Sequence, residues 1–374
     1  MSKSQREGYV IAGGGTGGHV FPALALAGEI RSRRPEAPIV FVGTRRGLEV
    51  DLVPRAGFPL ELVRAQGLVG KSLSGFLSGA ATLPLSFLDS FRILDRHRPR
   101  AVVGVGGYAS GPVVATAWAR RTPSVIHESN AVPGVTNRIL ARLATRVVVG
   151  TQAALELLPQ AIVVGNPVRK EFFAASPLDS RAASRPFRIL VVGGSQGAAI
   201  LNRLVPEALR GVRARGMPID VVHQAGRARR GLGFDRDDLQ AFYERSMDGA
   251  AQVREFLDDM PAEFASADLI ISRSGAMSVA EIAAAGRPSL LIPFAAATHG
   301  HQEANARALE RAGAAAVLTE SAATTEAIAA LVTELLASPE RLCRMGLAAR
   351  TLSRRDAAAR FCDVVFDVEQ AARG

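Results

Sequence analysis

The sequence predicts an α/β protein built from two doubly wound, Rossmann-like domains, and three observations lead to that prediction. The chain has 374 residues, which is more than one ordinary hydrophobic core holds. Short apolar runs alternate with longer segments of helical periodicity, a pattern typical of parallel βαβ units. A strand followed by a glycine-rich turn and a helix occurs twice, about 180 residues apart, an interval too long for a solenoid repeat.

The two halves of the chain begin alike. The first begins with a predicted strand over Tyr9–Ala12 and a helix around Pro22–Arg33, and the second with a strand over Arg188–Val192 and a helix around Ala198–Arg210. Further predicted strands are Ile39–Val42, Ala101–Val105, Ser124–Ile126, Val147–Val149, Ile219–His223, Leu269–Ile271, Ser289–Ile292 and Ala316–Leu318. The polar segment Ser176–Pro186 is predicted to be the end of an interdomain linker.

The charge balance favours some partners over others. Lys and Arg number 45 against 35 Asp and Glu, which gives a formal net charge of +10. The arginines are scattered, and the chain has no aromatic-interleaved basic block of the kind that binds single strands. We therefore expect no nucleic-acid partner, whereas an anionic ligand or membrane surface is compatible with the charge. Two cysteines without metal-ligand spacing fit a reducing cytoplasm.

Glycine-rich turns follow four of the predicted strands. They comprise Gly13–Gly18, Gly104–Gly111, Gly193–Gly197 and Ser274–Gly275. Backbone N–H groups in such turns, together with helix N-termini, bind anions, so the four turns predict a phosphate-type ligand at the carboxyl ends of the strands. An NAD site requires an acidic residue after the second strand, where this chain has Gly43-Thr44-Arg45-Arg46. An NADP-linked reductase that uses the two arginines remains the alternative enzyme.

Three positions carry candidate chemistry. His19 follows a glycine-rich turn at the start of a helix, whose N-terminus favours the neutral imidazole that a general base needs. His127 and Glu128, at the end of a predicted strand, form a pair of titratable side chains and a second candidate. Arg169 lies near the predicted hinge, where a cation could reach a phosphate.

Taken together, these motifs resemble the MurG family of peptidoglycan N-acetylglucosaminyltransferases. They match in the family's order from about residue 9 to beyond residue 310. The matching segments are Gly14-Gly-Thr-Gly-Gly-His19-Val-Phe-Pro-Ala, Gly106-Gly-Tyr-Ala-Ser-Gly-Pro, His127-Glu128-Ser-Asn130, Gly165-Asn-Pro-Val-Arg169, Gly193-Gly-Ser-Gln-Gly-Ala, Phe256-Leu-Asp-Asp-Met, Arg273-Ser-Gly-Ala with Glu281-Ile-Ala-Ala-Ala-Gly, and His301-Gln302 with Asn305-Ala.

The resemblance implies a GT-B fold, in which two Rossmann-like domains face each other across a cleft. Residues 1–175 would form an acceptor and membrane-facing domain, completed by a C-terminal helix over 352–374, and residues 176–351 would bind UDP-N-acetylglucosamine. It implies inverting transfer of N-acetylglucosamine to the muramoyl C4 hydroxyl of lipid I (undecaprenyl-pyrophosphoryl-MurNAc-pentapeptide), which forms lipid II. No metal and no cofactor are expected in this chemistry.

The family pattern assigns residues to both substrates. On the donor side, Leu257 would contact uracil, Glu281 the ribose, Ser195 and Arg169 the diphosphate, and His301 and Gln302 the sugar or its phosphate. The acceptor side is carried onto Thr16, Gly17, Gly18, His19, Tyr108, Glu128 and Asn130. The catalytic base is His19 in this prediction, with Glu128 as the other candidate. The lead-in Thr298-His299-Gly300 departs from the family's usual acidic or amide residues.

An apolar segment over Leu68–Leu88, flanked by Lys71 and Arg92, suggests how a lipid-linked acceptor is reached. We expect its exposed part, together with Trp118, to rest on the anionic cytoplasmic face of the bacterial inner membrane, so that the protein is peripheral. The alternative interpretation is a helix buried in the core of the first domain. The alternative to an enzyme is a regulatory module that binds nucleotide sugars.

Overall fold

A computed structural model describes residues 7–65, 73–178, 185–194, 197–226, 236–247, 249–297 and 300–372, with the side chains of 73–81 excepted. The chain divides into two compact units, Met1–Val168 with Asp356–Gly374, and Arg169–Arg355. In the described residues, each unit contains one sheet whose strands all run parallel, as the βαβ pattern predicts.

The first domain has a seven-stranded sheet in its described part, in the order β3-β2-β1-β4-β5-β6-β7. The strands are β1 (Tyr9–Ala12), β2 (Ile39–Gly43), β3 (Leu60–Leu62), β4 (Ala101–Gly104), β5 (Ser124–Glu128), β6 (Arg146–Val149) and β7 (Ile162–Val163). The helices are α1 (Gly17–Arg33), α2 (Glu49–Arg55), α3 (Leu73–His97), α4 (Ser110–Ala119) and α5 (Val135–Leu140), with a 3₁₀ turn over Gln152–Glu156. The central strands are buried on both faces, so they read as continuous apolar runs rather than as alternating patterns.

The second domain repeats this plan with six strands in its described part, in the order β10-β9-β8-β11-β12-β13. The strands are β8 (Phe187–Val192), β9 (Ile219–Gln224), β10 (Ala251–Arg254), β11 (Leu269–Ser272), β12 (Ser289–Leu291) and β13 (Ala315–Val317). The helices are α6 (Ala199–Ala214), α7 (Arg236–Met247), α8 (Met260–Ser266), α9 (Ala276–Ala285), α10 (His301–Arg311), α11 (Thr325–Leu336) and α12 (Pro339–Thr351).

The last helix, α13 (Ala357–Ala371), packs against α1 of the first domain. Its Phe361 ring stacks on His127 at a centroid distance of 5.1 Å. Its Glu369 is only 2% exposed and accepts hydrogen bonds from the Tyr9 hydroxyl and from Arg34. A buried carboxylate with these partners holds the C-terminal helix in one register on the first sheet.

The segment predicted to end a linker lies inside the second domain. The division falls at Val168 rather than 175, and at Arg355 rather than 351. A 3₁₀ turn over Lys170–Ala174 packs on α8 through an edge-to-face contact between Phe172 and Phe264. Polar composition suggested a linker at 176–186, but this buried aromatic contact already anchors the chain ahead of it. Residues 179–184 lie outside the described part.

Each sheet reverses its strand order between two neighbouring strands, and that reversal positions the site. In the first domain the chain leaves β1 toward β2 and returns on the other side as β4; in the second the same reversal separates β8 from β11. Helices that leave such a pair on opposite faces open a crevice at the carboxyl ends of the strands. Each domain thus has two of the predicted glycine-rich turns at its own switch point.

Candidate active site

The two glycine-rich turns of the first domain are in direct backbone contact. A Cβ atom on Gly107 would lie 2.3 Å from the Gly14 carbonyl oxygen, and one on Gly13 would lie 2.8 Å from the Gly106 carbonyl oxygen. Gly107 also has φ +80°, a conformation that glycine adopts without strain. Neither turn could therefore carry a side chain at these positions and keep the contact.

His19 lies where the two turns meet. Its Nδ1 is 3.0 Å from the Gly14 carbonyl oxygen, and a Cβ on Gly106 would lie 2.8 Å from its Nε2. A carbonyl oxygen only accepts hydrogen bonds, so Nδ1 carries the proton in this contact. In the neutral ring Nε2 is then the basic nitrogen, which is the state that a general base requires.

Glu128 is buried, and four hydrogen bonds from the loop that follows it and from α5 hold its carboxylate. One oxygen accepts from the backbone N–H and the side-chain amide of Asn130, at 2.9 Å each. The other accepts from Gly134 N at 3.0 Å and from Asn137 Nδ2 at 2.9 Å. A carboxylate offers about four acceptor positions, so these donors already occupy the group. The arrangement ties the Ser129–Gly134 turn to the end of β5.

The other predicted acceptor residues surround the same switch point. Thr16 is exposed and precedes α1 with extended backbone angles, so Gly17 and Gly18 lie in the first helical turn, whose N–H groups have no acceptor within the helix itself. Tyr108 follows the second glycine turn and is 57% exposed. The Asn130 side chain is directed at Glu128, which makes it part of the loop's internal bonding.

The second domain brings Glu281 and Arg169 within electrostatic reach of each other. Glu281, on α9, is buried, and its burial raises the pKa of the carboxyl to about 7, while the Arg169 charge opposes that rise. The Arg169 guanidinium lies 5.1 Å from the centre of the Phe172 ring. A cation beside a buried carboxyl suits a ligand that offers both phosphate and hydroxyl groups.

The loop before α10 is fixed by side chains of the predicted donor site. Gln302 accepts a hydrogen bond from Phe294 N at 3.0 Å, and its backbone oxygen accepts from the Ser274 hydroxyl at 2.8 Å. His301 is the first residue of α10. Leu257 is buried in the connection after β10. Ser195, Thr298 and His299 lie outside the described residues.

Two carboxylates contribute to the site without having been singled out in the sequence. Glu320, after β13, accepts from Ala295 N at 2.6 Å and pairs with Arg273 at 3.1 Å, which fixes the same loop. Glu49 binds the first glycine turn of the first domain. Neither belongs to a motif with a known spacing. The one signal in the sequence is that Glu49 lies shortly after the Gly43–Arg46 segment, close to where an NAD site requires an acidic residue.

The described part of the apolar segment belongs to helix α3, which has one buried face and one exposed face that carries apolar side chains. Ser86 and Ser90 are buried, whereas Leu85, Phe87, Leu88 and Phe91 are 40–49% exposed. Trp118 on the neighbouring helix α4 is 57% exposed. Leu68, Val69 and Lys71 lie outside the described residues, as do the side chains of Leu73, Phe76 and Leu77. No helix in the described ranges is long and apolar enough to cross a membrane.

The fold and the comparison with known proteins identify a glycosyltransferase. Residues 9–149 match the glycosyltransferase family 28 N-terminal domain, and residues 188–361 match the family 28 C-terminal domain. The chain belongs to glycosyltransferase family 28 and, within it, to the MurG group that its motifs predict.

Relatives and solved structures agree with that membership. A UDP-N-acetylglucosamine–N-acetylmuramyl-(pentapeptide) pyrophosphoryl-undecaprenol N-acetylglucosamine transferase from Anaeromyxobacter sp. is 45% identical over 96% of this chain and 92% of its own length. The transferase of that name from Myxococcus xanthus is 44% identical, with the same coverage. The crystal structure of Acinetobacter baumannii MurG matches with a TM-score of 0.77 and 30% identity, covering 96% of this chain and 99% of that one. A calicheamicin glycosyltransferase, 17% identical with a TM-score of 0.65, shares the fold. The predicted GT-B fold and family are confirmed.

Glu281 makes the stability of the second domain depend on pH. Burial raises the pKa of its carboxyl from an ordinary 4.5 to about 7, so the folded state binds the proton more tightly than the unfolded state. This contribution is fully present below pH 4.5 and is lost as the pH rises through 7, a change of about 3 kcal/mol. In urea unfolding, we expect the wild type to lose about that much stability relative to Glu281→Gln between pH 4.5 and 7.5.

The control for this prediction is Glu326→Gln, which removes an exposed carboxylate from α11 of the same domain. Its stability should keep a constant difference from the wild type across the pH range. A pH-independent difference for Glu281→Gln as well would contradict the assignment of a buried, protonated Glu281.

Proposed function

We propose that this chain transfers N-acetylglucosamine from UDP-N-acetylglucosamine to the muramoyl C4 hydroxyl of lipid I, with inversion, to form lipid II and UDP. The observation that carries the proposal is 45% identity along 96% of the chain to transferases named for this reaction. In the proposal, the first domain binds the acceptor and the second binds the donor. The acceptor residues are those at the β1–β4 switch point, and the donor residues are those of Arg169–Arg355.

The proton transfer is assigned to His19. As the acceptor C4 oxygen bonds to C1 of N-acetylglucosamine, its proton passes to Nε2 of His19, and the bond between C1 and the diphosphate oxygen breaks. The hydrogen bond from Nδ1 to the Gly14 carbonyl supports this role, since it leaves Nε2 as the basic nitrogen. Glu128 accepts four hydrogen bonds from the loop that follows it and from α5, so we assign it to ordering the Ser129–Gly134 turn.

The leaving UDP carries the electron pair of the broken bond away as negative charge. Arg169 and the turn before α6, with Ser195 in it, would stabilise that charge; fixed dipoles and a cation do this without reorganisation during the reaction. Glu281 would accept hydrogen bonds from the ribose hydroxyls. Leu257 would contact uracil, and His301 and Gln302 the sugar or its phosphate.

Association with an anionic membrane surface is the other part of the proposal. Helix α3 buries Ser86, Ser90, Ile93 and Leu94 against the domain and leaves Leu85, Phe87, Leu88 and Phe91 exposed. The helix therefore has a second apolar surface in addition to the one that packs on the core. Arg92 on α3 is exposed, and the Arg120 guanidinium lies 4.5 Å from the centre of the Phe91 ring. Exposed leucine and aromatic rings beside arginines suit peripheral binding to the cytoplasmic face of the bacterial inner membrane, where a lipid-linked acceptor resides.

Turnover should depend on His19 far more than donor binding does. With UDP-N-acetylglucosamine and a soluble lipid I analogue, the wild type should release UDP and form the disaccharide product. His19→Gln should lower kcat on the order of 10²- to 10⁴-fold, the usual contribution of a positioned base, with little change in the donor KM.

The control for that measurement is Glu61→Gln, which changes a partly exposed carboxylate at the edge strand β3. It should keep wild-type kcat. Absence of UDP release by the wild type with this acceptor would refute the proposed reaction. Near-wild-type turnover in a folded His19→Gln variant would instead move the base role to another residue.

Membrane association should depend on the exposed side of α3. Leu88→Asp removes an apolar side chain that is 42% exposed, so it should leave the melting curve unchanged. We expect it to weaken sedimentation with phosphatidylglycerol vesicles by roughly ten-fold, since part of a burial free energy of about 1.5–3 kcal/mol is lost. Raising the salt concentration should weaken the wild type further, because each basic residue at the surface contributes about 1 kcal/mol.

The matched control is Leu347→Asp, which changes a 55% exposed leucine on α12 of the other domain. This variant should sediment like the wild type. Equal sedimentation of both variants, or no binding of the wild type to anionic vesicles, would refute the membrane assignment.

A further inference from the structure

Glu49 is a buried carboxylate at the start of α2 to which the proposed reaction gives no role. It is 1% exposed, although α2 otherwise lies at the edge of the first domain. One oxygen accepts from Gly15 N at 2.7 Å. The other accepts from the backbone N–H and the hydroxyl of Thr44, at 2.9 and 3.0 Å. A charge buried this completely is stabilised only by such donors.

Three glycines make room for this carboxylate. A Cβ on Gly14, Gly43 or Gly47 would lie 2.3, 2.5 or 1.9 Å from the nearest atom of the Glu49 side chain. Any side chain at these positions would expel the carboxylate from its place. Within the first turn, Gly13 therefore allows the contact with the second turn, and Gly14 admits Glu49.

The hydrogen bonds of Glu49 and His19 meet on one peptide group. Gly15 N–H and the Gly14 carbonyl belong to the same planar amide and point in opposite directions. Glu49 Oε2 accepts from its N–H at 2.7 Å, and His19 Nδ1 donates to its carbonyl oxygen at 3.0 Å. A carboxylate bonded to an amide N–H makes the carbonyl of that amide a stronger acceptor.

We propose that Glu49 is a positioning residue for His19: through the Gly14–Gly15 peptide group, its carboxylate holds the imidazole with Nδ1 protonated and Nε2 as the basic nitrogen. Glu49 would act as the acid does in a directly bonded carboxylate–histidine pair, except that one peptide group lies between the carboxylate and the imidazole. The expected effect on catalysis rests on the proposed function of His19 as the base. The hydrogen-bonded relay between Glu49 and His19 does not depend on that function.

His127, on β5, is another titratable group whose charge interacts with His19. Burial lowers the pKa of His127 to about 4, so it is neutral where His19 would act. Its neighbour Glu128 is held by the donors of its own loop. Glu49 is connected to the His19 ring by two hydrogen bonds that share the Gly14–Gly15 peptide group.

Nitrogen-15 NMR of protein labelled at histidine and glycine tests the relay directly, with His19→Gln identifying the imidazole signal. In the wild type, the neutral His19 ring should be the Nδ1–H tautomer. The Gly15 amide proton should resonate far downfield and should shift as His19 titrates. The proposal would be overturned, without any variant at Glu49, by the opposite tautomer. It would also be overturned by a Gly15 amide chemical shift that stays constant while His19 titrates.

Glu49→Gln supplies the second arm, since the amide keeps the size and loses the charge. The pKa of His19 should fall, because the negative charge that favours the imidazolium is removed, and the tautomer preference should weaken. The kcat should drop about 10- to 100-fold with the donor KM unchanged. The control is Glu36→Gln, an exposed carboxylate after α1, which should alter none of these quantities. A folded Glu49→Gln protein with unchanged His19 titration would overturn the relay. A shifted titration with unchanged kcat would retain the relay and refute the base role of His19.

Discussion

The close contact between the turns after β1 and β4 is the constraint on which the rest of the candidate active site depends. Gly107 packs on the Gly14 carbonyl at a distance that admits no Cβ atom. That contact places the Gly14–Gly15 peptide group where His19 bonds to one side of it and Glu49 to the other. Glycine is thus required at these positions because the two turns approach so closely, as well as for backbone conformation. His19, Glu49 and the first turn form one hydrogen-bonded unit, and the second turn packs against it.

The second domain has the same type of strand-order reversal as the first, but different ionisable groups. Its switch point lies between β8 and β11, and its interacting ionisable groups include the buried Glu281 and the partly buried Arg169. Burial favours the neutral form of Glu281, while the neighbouring cation favours the charged form. A ligand with hydroxyl and phosphate groups would supply partners for both, as the proposed donor site requires. The loop ahead of α10 is held by Gln302 and the Arg273–Glu320 pair.

Much of the fold could be predicted from the sequence, because fully buried parallel strands and glycine turns leave strong local signals. The strands of Tyr9–Ala12 and Ser289–Leu291 follow from apolar runs, whereas the edge strands β3, β7 and β10 are short or half exposed and were missed. The linker prediction rests on polar composition alone, whereas the contact between Phe172 and Phe264, which anchors the chain ahead of that segment, joins residues far apart in the sequence. His19 and Glu128 were identified from their motifs, but the saturation of Glu128 and the role of Glu49 depend on hydrogen bonds that form only in the folded chain.

The most direct test of the account is the activity of Gly107→Ala, measured beside Gly111→Ala. A Cβ at Gly111, in the first turn of α4, would meet Thr136 Cγ2 at an ordinary 3.7 Å, so Gly111→Ala should retain wild-type transfer. At Gly107 the methyl group would force the two turns apart and displace the peptide group that holds His19. The account predicts that Gly107→Ala loses transfer at least 100-fold (about 2.7 kcal/mol of transition-state stabilisation) and still binds UDP-N-acetylglucosamine. Wild-type transfer by Gly107→Ala would contradict it.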